Sequence, residues 1–306
     1  MQTEEAKRVA VLGPGGVGGL LAALLARAGH HVTCLAGEET ARTLRRDGIR
    51  VTSGRYGEFT APLEAATRLR EPVDLCLVGV KHTALEAALG RIPGDVLGDA
   101  LLVPLLNGLE HPALLRAHHR PELVAPSAIR VESTRTAPGV IVHGSPFAEV
   151  TLAGDTVARE RLHAVEALLT SVGVGATVEA SEAEALWQKM YFLAPAALLT
   201  TRHRVPLGEV RTTHRAELVD LIRETVSVGR AAGASGDATA VLRRYDDFPA
   251  TTKSSMLRDA EAGRPLELDA IGGALLRAAA SHRVPAPVAG RLLAEIEERE
   301  SVNPSP

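Results

Sequence analysis

At 306 residues the chain is long enough for two domains, and its 45% hydrophobic content can fill two cores. Aromatics are only 3%, so those cores must be aliphatic. A formal net charge of −3, with no long basic run, argues against nucleic acid or an anionic membrane as a partner. The first apolar stretch follows MQTEEAKR, which sets two Glu against Lys and Arg and is not a basic n-region, and it is broken by glycines. It therefore reads as neither signal peptide nor membrane span, and a cytoplasmic location is the default expectation. Cys34 and Cys76 fall inside apolar runs and are expected as buried thiols. The 11 histidines are scattered and their adjacent pairs lack a set of further ligands, so no metal is expected.

In chain order, RVAVLGPGGVG (8–18) is a short apolar strand running into Gly13, Gly15 and Gly18. Each glycine has a mechanical role: Gly13 for the tight turn, Gly15 for the approach of a pyrophosphate, Gly18 for close packing of helix on strand. The amides of Gly16, Val17 and Gly18 open the next helix, aimed at the phosphates. The context is the required one, since LLAALLARAGHHV is an apolar helix leading to a second strand, HVTCLA. Together they predict a dinucleotide site. A polar helix follows in EETARTLRRD, then a hairpin-type excursion in IRVTSGRYGEFTAPL. DLCLVGV (74–80) reads as a parallel strand covered on both faces, HTALEAALGRI as its crossover helix, and ALLVPLLNG as the next strand. Weak strands are expected in LVAPSAIRV, GVIVHG and AEVTLAG, and a helix in RERLHAVEALLTSVG. Near residue 179 the periodicity becomes helical to the end, punctuated at Gly208, Gly233 and Pro265, with VNPSP as a disordered tail. The expected architecture is α/β: a doubly wound dinucleotide-binding domain over 1–178, then an all-helical domain over 179–306.

Several of these segments, in this order and spacing, resemble the ketopantoate reductase (2-dehydropantoate 2-reductase) family along nearly the whole chain. They are GPGGVGG, GVKHTAL, LLNGLEH, APGVIVHGSP, EALWQKM, SSMLRDAEAGRPLELDAIGG and HRVPAPV. The resemblance implies an N-terminal Rossmann domain joined to a helical domain. It also implies reduction of a 2-oxo acid by NADPH in the cleft between them, in pantothenate biosynthesis. The expected partner is a small carbonyl compound; a homodimer stays open.

Lys81 and Asn107 each stand just past the carboxyl end of an expected parallel strand, where such sheets bind ligands. A lysine beside the positive end of a helix dipole favours an anionic partner. Asn107 can fix a ribose or a substrate carbonyl, or simply serve an Asn-Gly turn. Lys189, on a largely apolar helix, is a snorkelling lysine or a general acid that protonates the alkoxide left by hydride addition. Partial burial would bring its pKa down toward neutrality. The resemblance pairs it with Glu267, which holds substrate and helps place the lysine, and with Ser255 on the substrate carboxylate. Alone, Ser255 reads as a helix cap.

Departures from the family pattern bear on substrate and cofactor. Leu193 and Ala197 replace asparagines four and eight residues after the lysine, and Pro195 between them should remove a backbone hydrogen bond and kink the helix. Gly272 and Gly273 stand where Asn-Gly is frequent. Gly37 replaces an arginine that reads the 2′-phosphate, so NADH competes with NADPH as the expected cofactor, with Arg42 or Arg45 as substitute cations. Two other functions stay open: a 3-hydroxyacid or opine-type dehydrogenase, and a family member doing non-redox chemistry on a bulky apolar ligand.

Overall fold

A computed structural model describes residues 5–302, so the expected disordered tail lies outside the described residues from Asn303 onward. The chain forms two compact units. The first runs to Leu106 and resumes over His111–Ala185; the second holds Asn107–Glu110 and the chain from Leu186.

The first unit begins with β1 (Arg8–Leu12), α1 (Gly16–Arg27), β2 (His31–Leu35) and α2 (Glu38–Asp47). The hairpin β3 (Ile49–Ser53) and β4 (Gly57–Ala61) follows, then β5 (Glu64–Ala66), β6 (Leu75–Val78), α3 (His82–Leu89), α4 (Gly94–Leu97), β7 (Leu101–Pro104) and α5 (His111–His118). After a 3-10 turn at Pro121–Leu123 come β8 (Ser127–Ala137), β9 (Val140–Leu152), α6 (Arg159–Ser171) and β10 (Gly175–Val178). Strands β5, β2, β1, β6 and β7 form one parallel sheet in that order. The chain leaves β1 first to one side and then to the other, so the switch in strand order falls between β1 and β6. Ligands bind such sheets outside the carboxyl ends at that point.

A second sheet has the order β10, β9, β3, β4, with β8 antiparallel to β9. Helix α1 lies between the sheets, and Gly18–Leu25 are buried all round. One core joins Val9 and Val11 of β1, leucines of α1, and Ile129, Ile141 and Val150 of the second sheet. That sandwich explains a helix with no polar face. The other face of the parallel sheet packs Leu12, Cys76 and Val78 against Leu85 of α3 and Leu115 of α5. Strands covered on both faces read as unbroken apolar runs, which is why β1, β6 and β7 were legible. The weak strands resolve differently. GVIVHG and AEVTLAG are one 13-residue strand, β9, whose alternating burial reflects a sheet covered on one face. Cys34 and Cys76 are buried free thiols, each pushed up to about 12 by burial.

The second unit is helical: α7 (Glu182–His203), α8 (Leu207–Thr212), α9 (Arg215–Ala231), α10 (Ala238–Asp247), α11 (Ser255–Glu261), a π turn at Asp269–Gly273, α12 (Ala274–Ser281) and α13 (Pro287–Val302). Helix α7 starts with the first unit and carries on through Leu186 into the second. Helix α9 packs against α8, α10, α12 and α13. Among the described residues no strand follows Val178, and no helix is long and apolar enough to cross a membrane. Helix α7 runs on through Pro195 rather than ending there. The buried Tyr245 hydroxyl donates to the Phe192 carbonyl at 2.5 Å and accepts from the Ala196 amide. It is inserted where Ala196 would bond Phe192 directly, one position past the proline.

Candidate active site

The glycine turn of the first unit divides its glycines by what surrounds them. Gly13 has φ +83°, a left-handed backbone that favours glycine, and a Cβ there would collide with Val80. A Cβ on Gly18 would strike the Gly13 carbonyl, so α1 packs directly on the turn. Gly16 and Gly19 face the second sheet instead, where Ser133 and Ile141 fill the space a side chain would need. The Ser133 hydroxyl donates to the Gly16 carbonyl at 2.7 Å. Gly15 is the exception. Its nearest neighbour to an added Cβ is the Gly79 carbonyl at 3.8 Å, an ordinary contact, so packing does not require a glycine there. Gly15 is the N-cap of α1, and the first-turn amides of Gly16, Val17 and Gly18 have no intrahelical acceptor. A bare backbone beside unsatisfied amides fits a pyrophosphate.

Two neighbouring strand ends complete this region. Lys81, beyond β6, is the exposed N-cap of α3. Gly37, beyond β2, is the N-cap of α2, with φ −65° and nothing within 4 Å of an added Cβ. Of the two cations considered there, Arg45 is tied to Glu38 and to the Ala65 carbonyl, while Arg42 is exposed. A third cation was not foreseen. Arg91 donates to the carbonyls of Ala36 at 2.9 Å and Thr67 at 2.7 Å, placing its guanidinium at the end of β2. Nothing in the local sequence marks that contact, which spans 55 residues.

The second unit gathers Lys189, Asn107 and Glu267. The Lys189 ammonium donates to Asn107 Oδ1 at 2.8 Å, and Asn107 Nδ2 donates to Glu267 Oε2 at 3.1 Å. Asn107 thus relays between a cation and a carboxylate, using acceptor and donor ends of one amide. Glu267 is only 8% exposed, unlike the ordinary surface acid it resembles in sequence. A buried carboxylate needs such partners. The turn expected at Asn-Gly is also present, since Gly108 has φ +95° and a Cβ there would collide with the Ala270 carbonyl. The loop is clamped further by Arg277, which holds both Glu110 oxygens at 2.8 and 2.7 Å and Asp269 at 2.7 Å. Arg277, Glu110 and the π turn after Glu267 were not foreseen. An added Cβ at Gly273 would press on the Asp269 carboxylate and the Arg277 guanidinium, the pair that sits over the π turn.

Two expectations change. Ser255 is not the cap of α11: Ser254 is, accepting from the Leu257 amide at 3.0 Å, and Ser255 is the exposed first helical residue. Ala197 is fully buried, so of the two apolar replacements on α7 only the partly exposed Leu193 can meet a ligand.

A doubly wound nucleotide-type sheet with a helical unit carrying a lysine, an amide and a carboxylate defines a class of two-part dehydrogenases. The sequence profile of ketopantoate reductase PanE/ApbA matches residues 9–154, and that of its C-terminal domain matches 183–300. A 2-dehydropantoate 2-reductase of Halobacterium salinarum is 29% identical over 94% of this chain and 97% of its own. An uncharacterized oxidoreductase of Bacillus subtilis, YkpB, is 27% identical over 95% and 98%. Among solved structures, a 2-dehydropantoate 2-reductase from Geobacter metallireducens superposes with TM-score 0.87 at 25% identity, covering 95% and 99%. D-mandelate dehydrogenase with NADH and anilino(oxo)acetate has the same fold, with TM-score 0.87 at 20% identity over 96% and 99%. The chain belongs to the ketopantoate reductase family, whose members are NAD(P)H-dependent oxidoreductases.

Proposed function

We propose that this oxidoreductase reduces the 2-keto group of a 2-oxo acid, with NADPH as the favoured hydride donor and Lys189 as general acid. The observation that carries this reading is the Lys189–Asn107–Glu267 relay. Bound NAD(P)H supplies the hydride. An alkoxide then forms at the former carbonyl oxygen, and the Lys189 ammonium, held by Asn107 Oδ1, delivers a proton to it. Asn107 Oδ1 fixes the direction of the ammonium by accepting one of its hydrogens. Glu267 orients the amide and accepts from a substrate hydroxyl. Ser255 offers an exposed hydroxyl for the substrate carboxylate. Gly15 and the amides of Gly16, Val17 and Gly18 hold the pyrophosphate, with Lys81 as a nearby cation. NADPH is favoured by family membership alone. With Gly37 at the end of β2, NADH is accepted too, and a protein of this fold takes NADH.

Leu193 narrows the substrate. It puts hydrocarbon one helical turn from Lys189, where burying a substrate hydroxyl without a partner costs about 1–3 kcal/mol and each buried methylene contributes about 0.8 kcal/mol. The substrate is therefore a 2-oxo acid with an apolar tail, and ketopantoate, with its 4-hydroxyl, is a poor one. The test is the ratio of kcat/KM for ketopantoate to that for 2-oxoisovalerate, followed at 340 nm with each nucleotide. A ratio below one is expected. A ratio far above one assigns the chain to pantothenate biosynthesis as an ordinary ketopantoate reductase. Tight nucleotide binding without turnover of any 2-oxo acid would overturn the redox reading.

A further inference from the structure

Three side chains far apart from the Lys189 relay converge in the second unit. His203 is the last residue of α7, His214 is the N-cap of α9, and Glu217 lies in the first turn of α9. One ligand atom from each lies within 4.8 Å of the others. We propose that His203, His214 and Glu217 form a binding site for one divalent transition-metal ion of the zinc type.

The donor set is the first argument. Two imidazoles and one carboxylate form a set that Zn²⁺ takes with a water in the fourth position, and imidazole also suits Ni²⁺ and Cu²⁺. The placement is the second. His214 and Glu217 are three residues apart at one helix end, hence on one face, and the α8 segment returns the chain so that His203 meets them. His203 Nε2 and Glu217 Oε2 are already within hydrogen-bond distance at 2.6 Å, so two of the three ligand atoms converge without rearrangement. Both side chains are 19% exposed, so the pair is enclosed yet reachable from water. Arg291 holds the other Glu217 oxygen at 2.5 Å and leaves Oε2 to the metal, the arrangement in which an outer partner orients a ligand.

Two features oppose binding and set its expected strength. The imidazoles are stacked, with centroids 3.6 Å apart and planes at 13°, so both lone pairs cannot point at one ion. His214 must turn out of the stack by rotating its side chain, which is partly exposed at the helix cap. Arg202 and Arg291 add positive charge nearby, although Arg202 is paired with Glu295. Micromolar affinity is expected, not nanomolar. The ion would tie the end of α7 to the start of α9. Lys189 is 14 residues earlier on α7, about 21 Å along the helix, so the metal has no part in the proton transfer.

The experiment uses tag-free, metal-stripped full-length protein titrated with Zn²⁺ by calorimetry and with Co²⁺ by visible absorbance. One ion per chain is expected, with a thermal midpoint raised by Zn²⁺. His214→Phe keeps a ring on His203 and removes one ligand nitrogen, and should weaken binding tenfold or more; Glu217→Gln should do the same. Absence of saturable binding to the wild-type chain overturns the proposal, as does one-to-one binding that survives His214→Phe unchanged.

Discussion

The glycine turn of the first unit and the lysine relay of the second are built from opposite materials. The turn is contiguous, lies within the short segment 8–18, and works through backbone groups whose side chains are absent. The relay works through side chains, and its two hydrogen bonds span 82 and 160 residues. A backbone site is sensitive to what is added to it, a side-chain site to what is removed. The two halves of the proposed reaction should therefore fail in different ways.

The largest separation is expected between Lys189→Ala and Gly15→Val. Removing the ammonium should lower turnover by about 10²–10⁴ and leave nucleotide affinity nearly intact. Gly15→Val should abolish nucleotide binding without unfolding the protein, because an added Cβ has only the Gly79 carbonyl near it, at 3.8 Å. Gly16→Val is the control. Ser133 already fills that space, so this variant should lose stability by about 1–3 kcal/mol through overpacking, read as a lower melting temperature. If Lys189→Ala weakens nucleotide binding as much as Gly15→Val, the lysine is structural and the comparison collapses.

A smaller effect sharpens the nucleotide half. Gly37→Arg adds a cation at the end of β2, where the backbone is already extended and nothing lies within 4 Å of the new Cβ. A hydrogen bond to a charged phosphate is worth about 1.5–3 kcal/mol, roughly ten- to a hundredfold in affinity. The ratio of NADPH to NADH affinity should rise by that factor while the Lys189-dependent step is unchanged. No change, in a wild-type chain that already prefers NADPH a thousandfold, would assign the phosphate to Arg42 or Arg91.

The same contrast governs what could be read from the residues alone. The parallel sheet was legible because strands covered on both faces are continuous apolar runs, and the glycine turn because its residues are adjacent. Strand β10, four residues of mixed burial, and the four-residue α4 carry too little periodicity to show. In the second unit the helical period was visible from α7 onward, and Lys189, Asn107 and Glu267 were each singled out. The resemblance pairs Lys189 with Glu267, but the bridging of the two by the Asn107 amide was not legible, nor was the assignment of Asn107–Glu110 to the second unit, since Arg277 reaches Glu110 across 167 residues. Ser255 could not be separated from Ser254, because two adjacent serines at a helix start offer the same capping chemistry. The histidine cluster was missed for a similar reason: His203 and His214 look scattered until α8 folds them together.

The smallest expected effect concerns the helix that carries the lysine. Pro195 has no N–H to give the Tyr191 carbonyl, and its ring crowds the turn before it. The structure meets this locally. Tyr245 places its hydroxyl between the Phe192 carbonyl and the Ala196 amide, with its ring stacked on Phe192 at 4.3 Å. Tyr245→Phe keeps the ring packed and deletes only the bridge. The two backbone groups can then approach each other, which recovers part of their hydrogen bonding and holds the loss to about 1 kcal/mol in denaturant unfolding. If the bridge also sets the path of α7 between Lys189 and Pro195, the variant will lose turnover as well, with nucleotide affinity unchanged. Restoring an ordinary helix with Pro195→Ala in the same chain should then recover both, because the substituted residue supplies the missing amide and Phe192 can bond Ala196 directly. A double variant as unstable as Tyr245→Phe alone would show that the hydroxyl is needed for reasons unrelated to the proline.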